Sequence, residues 1–595
     1  MGAIALFQSR AGTDSADVVR RMAAAAPHRG DQVDVITHSS GALAAINSAD
    51  GPADAQLAQV AGVAVAFVGS LDNAEELQRD MESRTSAAPE SAESTASFLA
   101  RAYRVHGDSL PARMRGVFAV AITDAAKVAC FRDHIGYRPL FYRRDGEGLY
   151  VASEAKQVVA GAAISRQPDL EAVEAIFYRT ITDETPSALA GVLRLPKATL
   201  LLSDADGLHL AGYWDPASLL ETGPLGDDEL AARFAQLMDQ AVSRAMSGDD
   251  GISLSGGIDS PGVAAFAAPR HQEQYGKPLQ AMSVVYPRFP SVDESGYVTR
   301  LSEYLRIPLH TYEQSANSLA DIRRWTALAD SPFPGASLAQ YEEDYRRARS
   351  LGIRTLLSGE HAEFVFAFHW NALDHYLTHR RLRAVRWLLA QRRRQLHETW
   401  AHQLRLVIRA LTPDQLLRAR RLLGGGRPPT VPRWLDAKRA SEEEPVRVSE
   451  RWRRGQLLGF IGPGIALEAE EVCQDICGIR ARRPWTDIDL WELFLRLPAE
   501  QKFPDIQSKA LVRKLLRGRL PDEILDRRDK TVFDEAALSE IDYVTLRSLL
   551  ESPTHHLPGV DYEALADLLE REQLTPVDYV WARELAGVHA FLSQW

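Results

Sequence analysis

Ser253-Leu254-Ser255-Gly256-Gly257-Ile258-Asp259-Ser260 decides how the rest of the chain is read. An apolar approach ends in Ser-Gly-Gly, and the run from Pro261 to Ala268 has helical character. This predicts a strand, a tight turn and a helix N-terminus. Adjacent glycines let backbone close on an anion with no Cβ in the way. Ser255 and Ser260 add hydroxyl donors, and a helix N-terminus adds N–H groups and partial positive charge. A carboxylate cannot face phosphate unless a cation lies between them, so Asp259 is read as a Mg²⁺ ligand. Pro261 suits an early helical position, where its missing N–H costs little.

The flanking sequence alternates strand and helix. Asp227–Met246 is amphipathic, with Leu230, Phe234, Leu237, Met238 and Val242 on one face. Strands are expected at Leu279–Tyr286, Leu309–Tyr312 and Thr355–Leu357, and helices from Asp293-Glu294 to Tyr304 and over Tyr341–Leu351. Such alternation predicts an α/β doubly wound parallel sheet, with the Gly-Gly turn at a strand's carboxyl end. No Gly-Lys-Ser/Thr follows the glycines, so this is not a Walker loop. Ser-Gly-Gly-Ile-Asp-Ser instead resembles the PP-loop of the ATP pyrophosphatases, which adenylate a substrate and release pyrophosphate.

With 595 residues, more than one domain is expected. At 45% hydrophobic and 25% charged, the composition is that of a globular protein. The net charge of −11 disfavours DNA and general nucleic-acid binding. Three cysteines make no disulfide framework, which suits a reducing, cytoplasmic setting. Cys473 and Cys477 are read as packed thiols on one helix face. The short apolar N-terminus lacks the basic flank and long core of a signal peptide. No run of about 20 apolar residues predicts a membrane span.

Residues 1–215 read as an α+β domain. Strands are expected at Ala3–Phe7, Val33–Thr37, Gly62–Val68, Val117–Ile122 and Leu149–Ala152, with helices at Asp14–Ala26, Ala74–Ser83 and Ser94–His106. The ordered landmarks His28-Arg29-Gly30-Asp31, Val68-Gly69, Arg132-Asp133, Arg138-Pro139-Leu140 and Ser153-Glu154-Ala155-Lys156 resemble the glutamine amidotransferase domain of the asparagine synthetase family. That resemblance implies an N-terminal-nucleophile sandwich in which a cysteine at residue 2 hydrolyses glutamine. Here residue 2 is Gly2, which has no nucleophile. The family's Asn-Gly oxyanion element reads Val68-Gly69, without a side-chain donor. No ammonia production is expected, and the remaining landmarks are read as structural.

The resemblance continues through residues 216–595. Ser358-Gly359-Glu360-His361-Ala362-Glu363 aligns with the family's Ser-Gly-Glu-Gly-Gly-Asp-Glu. It implies Glu363 as a second Mg²⁺ ligand and Glu360 as the base near the reacting amine. Arg482-Arg483-Pro484-Trp485, Gln507-Ser508-Lys509 through Arg513, Leu520-Pro521 and Arg527-Arg528-Asp529-Lys530 follow the family's distal series. Lys530 falls on the lysine that stabilises developing negative charge. Lys509 and Arg513 are expected to reach phosphate. The implied ATP contacts are Leu254, Ser255, Gly256, Gly257, Asp259, Ser260, Val284, Ser358, Gly359 and Lys509.

Between His379 and Arg427 arginines interleave with apolar residues at helical spacing, ending in Gly424-Gly425-Gly426-Arg427-Pro428-Pro429. Residues 373–447 are read as a helical elaboration and linker. Its basic surface fits a solvated face, an acidic partner or an anionic membrane surface.

The resemblance implies ATP- and Mg²⁺-dependent adenylation of a carboxylate, then attack by an amine. With glutaminase chemistry missing, a tethered amine is favoured. β-Lactam synthetases and lasso peptide cyclases both work this way. Glu360 favours the cyclase, since β-lactam synthetases carry a tyrosine there. The expected substrate is a precursor (core) peptide, and the expected partners are a leader peptidase and a leader-binding protein. An ammonia-dependent asparagine synthetase and a non-catalytic peptide-binding protein are the alternatives.

Overall fold

The computed structural model describes residues 2–9, 14–49, 54–84, 94–124, 126–180, 185–315, 317, 319–332, 338–362, 371–423, 430–441, 446–461, 464–527, 541–551, 553 and 555–595. Two expected site residues, Glu363 and Lys530, lie outside them.

The N-terminal half is built from β1 (Gly2–Ser9), β2 (Gln32–His38), β3 (Gly41–Asn47), β4 (Ala55–Val60), β5 (Val63–Leu71), β6 (Gly116–Thr123), β7 (Val128–Arg132), β8 (Phe141–Arg144), β9 (Gly148–Ala152), β10 (Leu193–Arg194), β11 (Thr199–Ser203) and β12 (Leu208–Gly212). Among the described residues they form two six-stranded sheets, ordered β10-β8-β9-β1-β3-β2 and β12-β11-β7-β6-β5-β4. The pairings given for both are antiparallel.

Period-two side-chain alternation sorts these strands between two cores. Ile4 and Leu6 of β1 point into the layer between the sheets, whereas Ala5 and Phe7 point to the outer, helix-covered face. In β5, Ala64, Ala66 and Val68 face inward while Val63, Val65 and Phe67 meet the helices Ala74–Arg84 and Thr95–His106. The result is a helix–sheet–sheet–helix sandwich, the layering expected of the first domain.

The second half holds β13 (Asp250–Ser253), β14 (Gln280–Val284), β15 (Leu309–Tyr312), β16 (Thr355–Leu357) and β17 (Arg480–Arg482). They form a parallel sheet ordered β15-β14-β13-β16-β17. Ile252 and Leu357 face a core containing the Asp227–Ala245 and Asp259–Tyr275 helices. Met282 and Leu356 face another, containing the Leu338–Ser350 and Gly464–Cys477 helices. Helices on both faces make the sheet doubly wound, as expected. The strand order reverses beside β13, so the crevice at the carboxyl ends of β13 and β16 is the switch point where such sheets bind ligands.

The halves share structure at both ends. The Gly464–Cys477 helix presents Glu468, Glu471 and Asp475 to arginines of the first half. Arg29, wholly buried, pairs with Glu154, Glu471 and Asp475. Arg138 pairs with Glu471 and Asp475, and Arg132 and Arg194 with Glu468. At the other end, Leu546, Leu565, Trp581, Leu585 and Phe591 enter one core with Val18, Val173 and Phe177. The chain's last helices thus cover the outer face of its first domain.

No described helix is long and apolar enough to cross a membrane. Cys473 and Cys477 are buried on one helix, and no metal-binding His/Cys/Asp/Glu group exists among the described residues. One helix start differs from expectation. Ser295, not Asp293, begins the Ser295–Leu305 helix. Asp293 accepts hydrogen bonds from the Tyr286 amide at 3.0 Å and Ser295 Oγ at 2.6 Å, which ties it to the preceding turn.

Candidate active site

The 254–260 loop closes on itself. Leu254 is buried in the core beneath it, its amide bonded to the Met282 carbonyl at 2.8 Å. The Ser255 amide donates to Ser260 Oγ at 2.9 Å, and the two serine hydroxyls lie 3.0 Å apart. Glu294 accepts from the Gly256 amide at 2.8 Å, while Arg527 donates to the Gly256 carbonyl at 2.8 Å and to Glu294 at 2.9 Å. A Cβ on Gly256 would come within 3.1 Å of Tyr297, Arg527 and Glu294, so glycine is required there. The Asp259–Tyr275 helix begins without a side-chain cap, which suits an anion at its N-terminus. Trp485 Nε1 donates to the Asp259 carbonyl at 2.8 Å and fixes that first turn.

The loop after β16 meets this one directly. A Cβ on Gly359 would lie 2.2 Å from the Ser260 amide nitrogen, so only glycine allows the contact. Together Ser255, Asp259, Ser260, Ser358, Gly359 and Glu360 line an open cavity of 330 Å³. Tyr341, Asp344 and Tyr345 of the Leu338–Ser350 helix form another wall. His361, which replaces a family glycine, has φ +66°, so the loop keeps a backbone course natural to glycine.

Glu360 is held from three sides. Arg483 Nε donates to it at 2.8 Å, Tyr341 Oη at 3.0 Å and Ser358 Oγ at 3.3 Å. Burial works to raise its pKa, but Arg483, His361 and the Tyr341 hydrogen bond prevail and hold it below the ordinary value. Arg483 also grips Glu470, which accepts from the Tyr345 hydroxyl. The negative charge of Glu360, then burial, raises the Tyr341 phenol well above its usual range. Burial and Arg483 lower His361 to about 4, leaving it neutral at pH 7.

Asp259 Oδ2 takes an ion pair from Lys509 Nζ, whereas its buried Oδ1 has no hydrogen-bond partner among the described residues. An oxygen left this way suits a hard cation. Lys509 thus touches the expected metal ligand. Arg513 lies on the helix that follows Lys509. Its Nη1 donates to the carbonyls of Ile524 at 3.3 Å and Leu525 at 2.7 Å, and its charge is felt by Asp259, so it braces a turn beside the site. Val284 ends β14 on the same sheet edge but is not among the residues lining this cavity. Sequence reasoning missed Tyr341, Asp344, Tyr345, Glu470 and Glu294, and gave Arg483 no role. The Tyr341–Tyr345 spacing read only as one helix face, and nothing local marks Glu470 as Arg483's partner.

At residue 2, β1 leaves no space. A Cβ there would stand 2.5 Å from the Ile46 carbonyl and 2.9 Å from Ala55. The Gly2 amide donates to Asp475 at 3.3 Å. Val68 is buried in the apolar layer between the sheets.

Residues 1–214 match the glutamine amidotransferase domain family, and residues 233–595 match the asparagine synthase family. The chain is 24% identical to asparagine synthetase [glutamine-hydrolyzing] 3 of Bacillus subtilis, covering 85% of this chain and 82% of that one. It is 26% identical to a putative asparagine synthetase [glutamine-hydrolyzing] 2 of Methanocaldococcus jannaschii, covering 47% and 54%. A solved structure described as the allosteric regulatory enzyme of purine biosynthesis aligns at a TM-score of 0.28 and 13% identity, covering 53% of this chain and 81% of that one, too slight a likeness to bear on this protein. Because the asparagine synthase match takes in more than half of the chain, the protein belongs to that family of ATP-dependent amide ligases.

Proposed function

We propose that the protein is a lasso peptide cyclase that adenylates an Asp or Glu side chain of a core peptide and joins it to the peptide's N-terminal amine, releasing AMP and pyrophosphate. Gly2 carries this proposal. The position that supplies ammonia chemistry in glutamine-hydrolysing relatives has neither a nucleophile nor room for one. The amine then comes from elsewhere, and an amine on the substrate itself is favoured because tethering raises its effective concentration.

In this scheme the uncapped helix N-terminus and the Ser255 and Ser260 hydroxyls receive the ATP phosphates. Asp259, through its unpartnered Oδ1, and Glu363 would hold Mg²⁺, which supplies neutralisation of phosphate charge. Lys509 leaves its ion pair with Asp259 for phosphate as nucleotide enters. Glu360, kept ionised by Arg483, accepts an N–H of the incoming amine and orients its lone pair. Lys530 offsets the charge that builds on the acyl oxygen. A leader peptidase and a leader-binding protein would deliver the cut peptide, and a cytoplasmic setting suits ATP supply.

Purified protein is to be given ATP, Mg²⁺ and candidate core peptides with free N-termini. Pyrophosphate release and a product lighter by one water are expected. Release of neither with any peptide, or asparagine formed from ammonium and aspartate, overturns the proposal. A β-lactam-synthetase-like reading is favoured by one observation, the Tyr341 phenol on Glu360 at 3.0 Å. It predicts ring closure within a small amino acid instead.

A further inference from the structure

The Trp400–Leu411 helix has two apolar faces, and among the described residues only one is packed. Gln403 and Ala410 are buried, and Leu406 and Val407 pack beside them against the Ala372–Thr378 and Leu382–Leu396 helices. Gln403 Nε2 donates to the Leu389 carbonyl at 2.6 Å and locks that face down. On the other side, Trp400, Leu404, Ile408 and Leu411 are 72%, 62%, 56% and 54% exposed. Their spacing of three and four places them on successive turns, along an edge about 16 Å long. Single exposed leucines are ordinary; four in a row on one helix edge are not.

Arginine borders this stripe. Arg405 and Arg409 are exposed on the same helix. The Arg393 guanidinium lies over the Trp400 ring at 4.1 Å, and Arg383, Arg386 and Arg394 are exposed on the neighbouring helix. Residues 379–427 carry thirteen arginines against two carboxylates, in a chain of net charge −11. The exposed Arg383, Arg386, Arg393, Arg394, Arg405 and Arg409 therefore put positive charge on this helix and the one beside it.

We propose that this edge docks the protein on an anionic lipid surface, with Trp400, Leu404, Ile408 and Leu411 at the acyl boundary and the arginines among the headgroups. A short helix with an apolar edge, a tryptophan at one end and flanking guanidiniums suits the bilayer interface. Charge complementarity demands an anionic occupant. A second copy of the chain fits poorly, because a two-fold interface would turn the arginine border onto itself. RNA fits poorly too, because Arg393 already covers a face of the Trp400 ring. The proposal is independent of the cyclisation chemistry, since none of these residues lines the 330 Å³ cavity.

The test is cosedimentation of the full chain with phosphatidylcholine vesicles, with and without phosphatidylglycerol. Binding to the anionic vesicles, its release by high salt, and little binding to pure phosphatidylcholine are expected. Leu404→Ser with Ile408→Ser, and separately Arg405→Glu with Arg409→Glu, should each weaken partition by about tenfold or more while thermal unfolding is unchanged. Protein that stays in the supernatant with both vesicle types overturns the proposal. So does equal binding to both, or undiminished binding by a folded variant of either pair. Capture of an acidic protein, or a dimer dissolved by the leucine–isoleucine change, without vesicle binding, assigns the edge to that occupant instead. The vesicle and salt comparisons need only the unaltered protein, so they decide the matter even if a variant fails to fold.

Discussion

Asp259 and Glu360 are both acidic, yet the fold prepares them for opposite tasks. Asp259 keeps one buried oxygen without a partner beside an uncapped helix start. Asp259→Ala should abolish pyrophosphate release while leaving the thermal unfolding midpoint within a few degrees, because the lost partner is one lysine. A release assay alongside a melt checks this, and full activity would sink the metal assignment. Glu360 is held by three donors and ionised well below neutrality, so it contributes no acid limb to the rate profile near pH 7. Both residues were legible in the sequence because their chemistry is tied to short motifs. Arg483, Glu470 and Tyr341 were not, since what matters in them is a partner on a different element: Glu360 for Arg483 and Tyr341, and Tyr345 and Arg483 for Glu470. Gly2 adds a third residue-level outcome. Gly2→Cys should restore no glutaminase activity and should destabilise the protein, because its Cβ meets the Ile46 carbonyl at 2.5 Å. Measured glutamate release from glutamine and a denaturation curve test both parts.

Elements with strong periodicity were read correctly, and those decided by context were not. Asp227–Ala245 shows its buried face in its sequence. Gly41–Asn47 is a strand buried along its length and therefore has no alternation to detect. Arg480–Arg482 is an edge strand of two arginines and an alanine. It exists because Leu356 and its neighbours offer a free sheet edge and because Asp54 and Asp72 receive its arginines. The Ala499–Lys502 helix hides a different signal. Lys502 is buried, with its ammonium on Gln456 Oε1 at 2.7 Å, and burial lowers its pKa to about 7. An unfolded lysine titrates near 10.4, so the folded form carries the full penalty below pH 7 and sheds it as pH rises toward 10. Lys502→Met should therefore stabilise the protein by a few kcal/mol at pH 6, roughly in line with a shift of three units, and by little at pH 10. Urea denaturation at the two pH values measures the difference; an equal gain at both would contradict the assignment.

Across the whole molecule, buried arginines join the two halves. Arg29 pairs with carboxylates from both, Glu154 on one side and Glu471 and Asp475 on the other. Arg29→Met should cost about 3–5 kcal/mol, since it strands buried negative charge. The loss should vary little with salt, unlike that of a surface pair. Denaturation at low and high ionic strength checks both statements. Landmarks such as His28-Arg29 and Arg138-Pro139 pointed to the family, but their use as an interdomain clamp depends on the Gly464–Cys477 helix and could not be read locally.

The core shared by Phe177 with Trp581, Leu585 and Phe591 has a consequence for synthesis of the chain. The strands and helices of the first domain are translated before the helices at residues 543–592, so the outer face that these helices cover lacks its apolar partner until they follow. At ordinary elongation rates that wait is on the order of tens of seconds. During it the nascent chain shows an apolar surface that a chaperone must shield or a neighbour will capture. Assembly is thus vectorial: the earlier-made sandwich is the mould on which the later-made helices set.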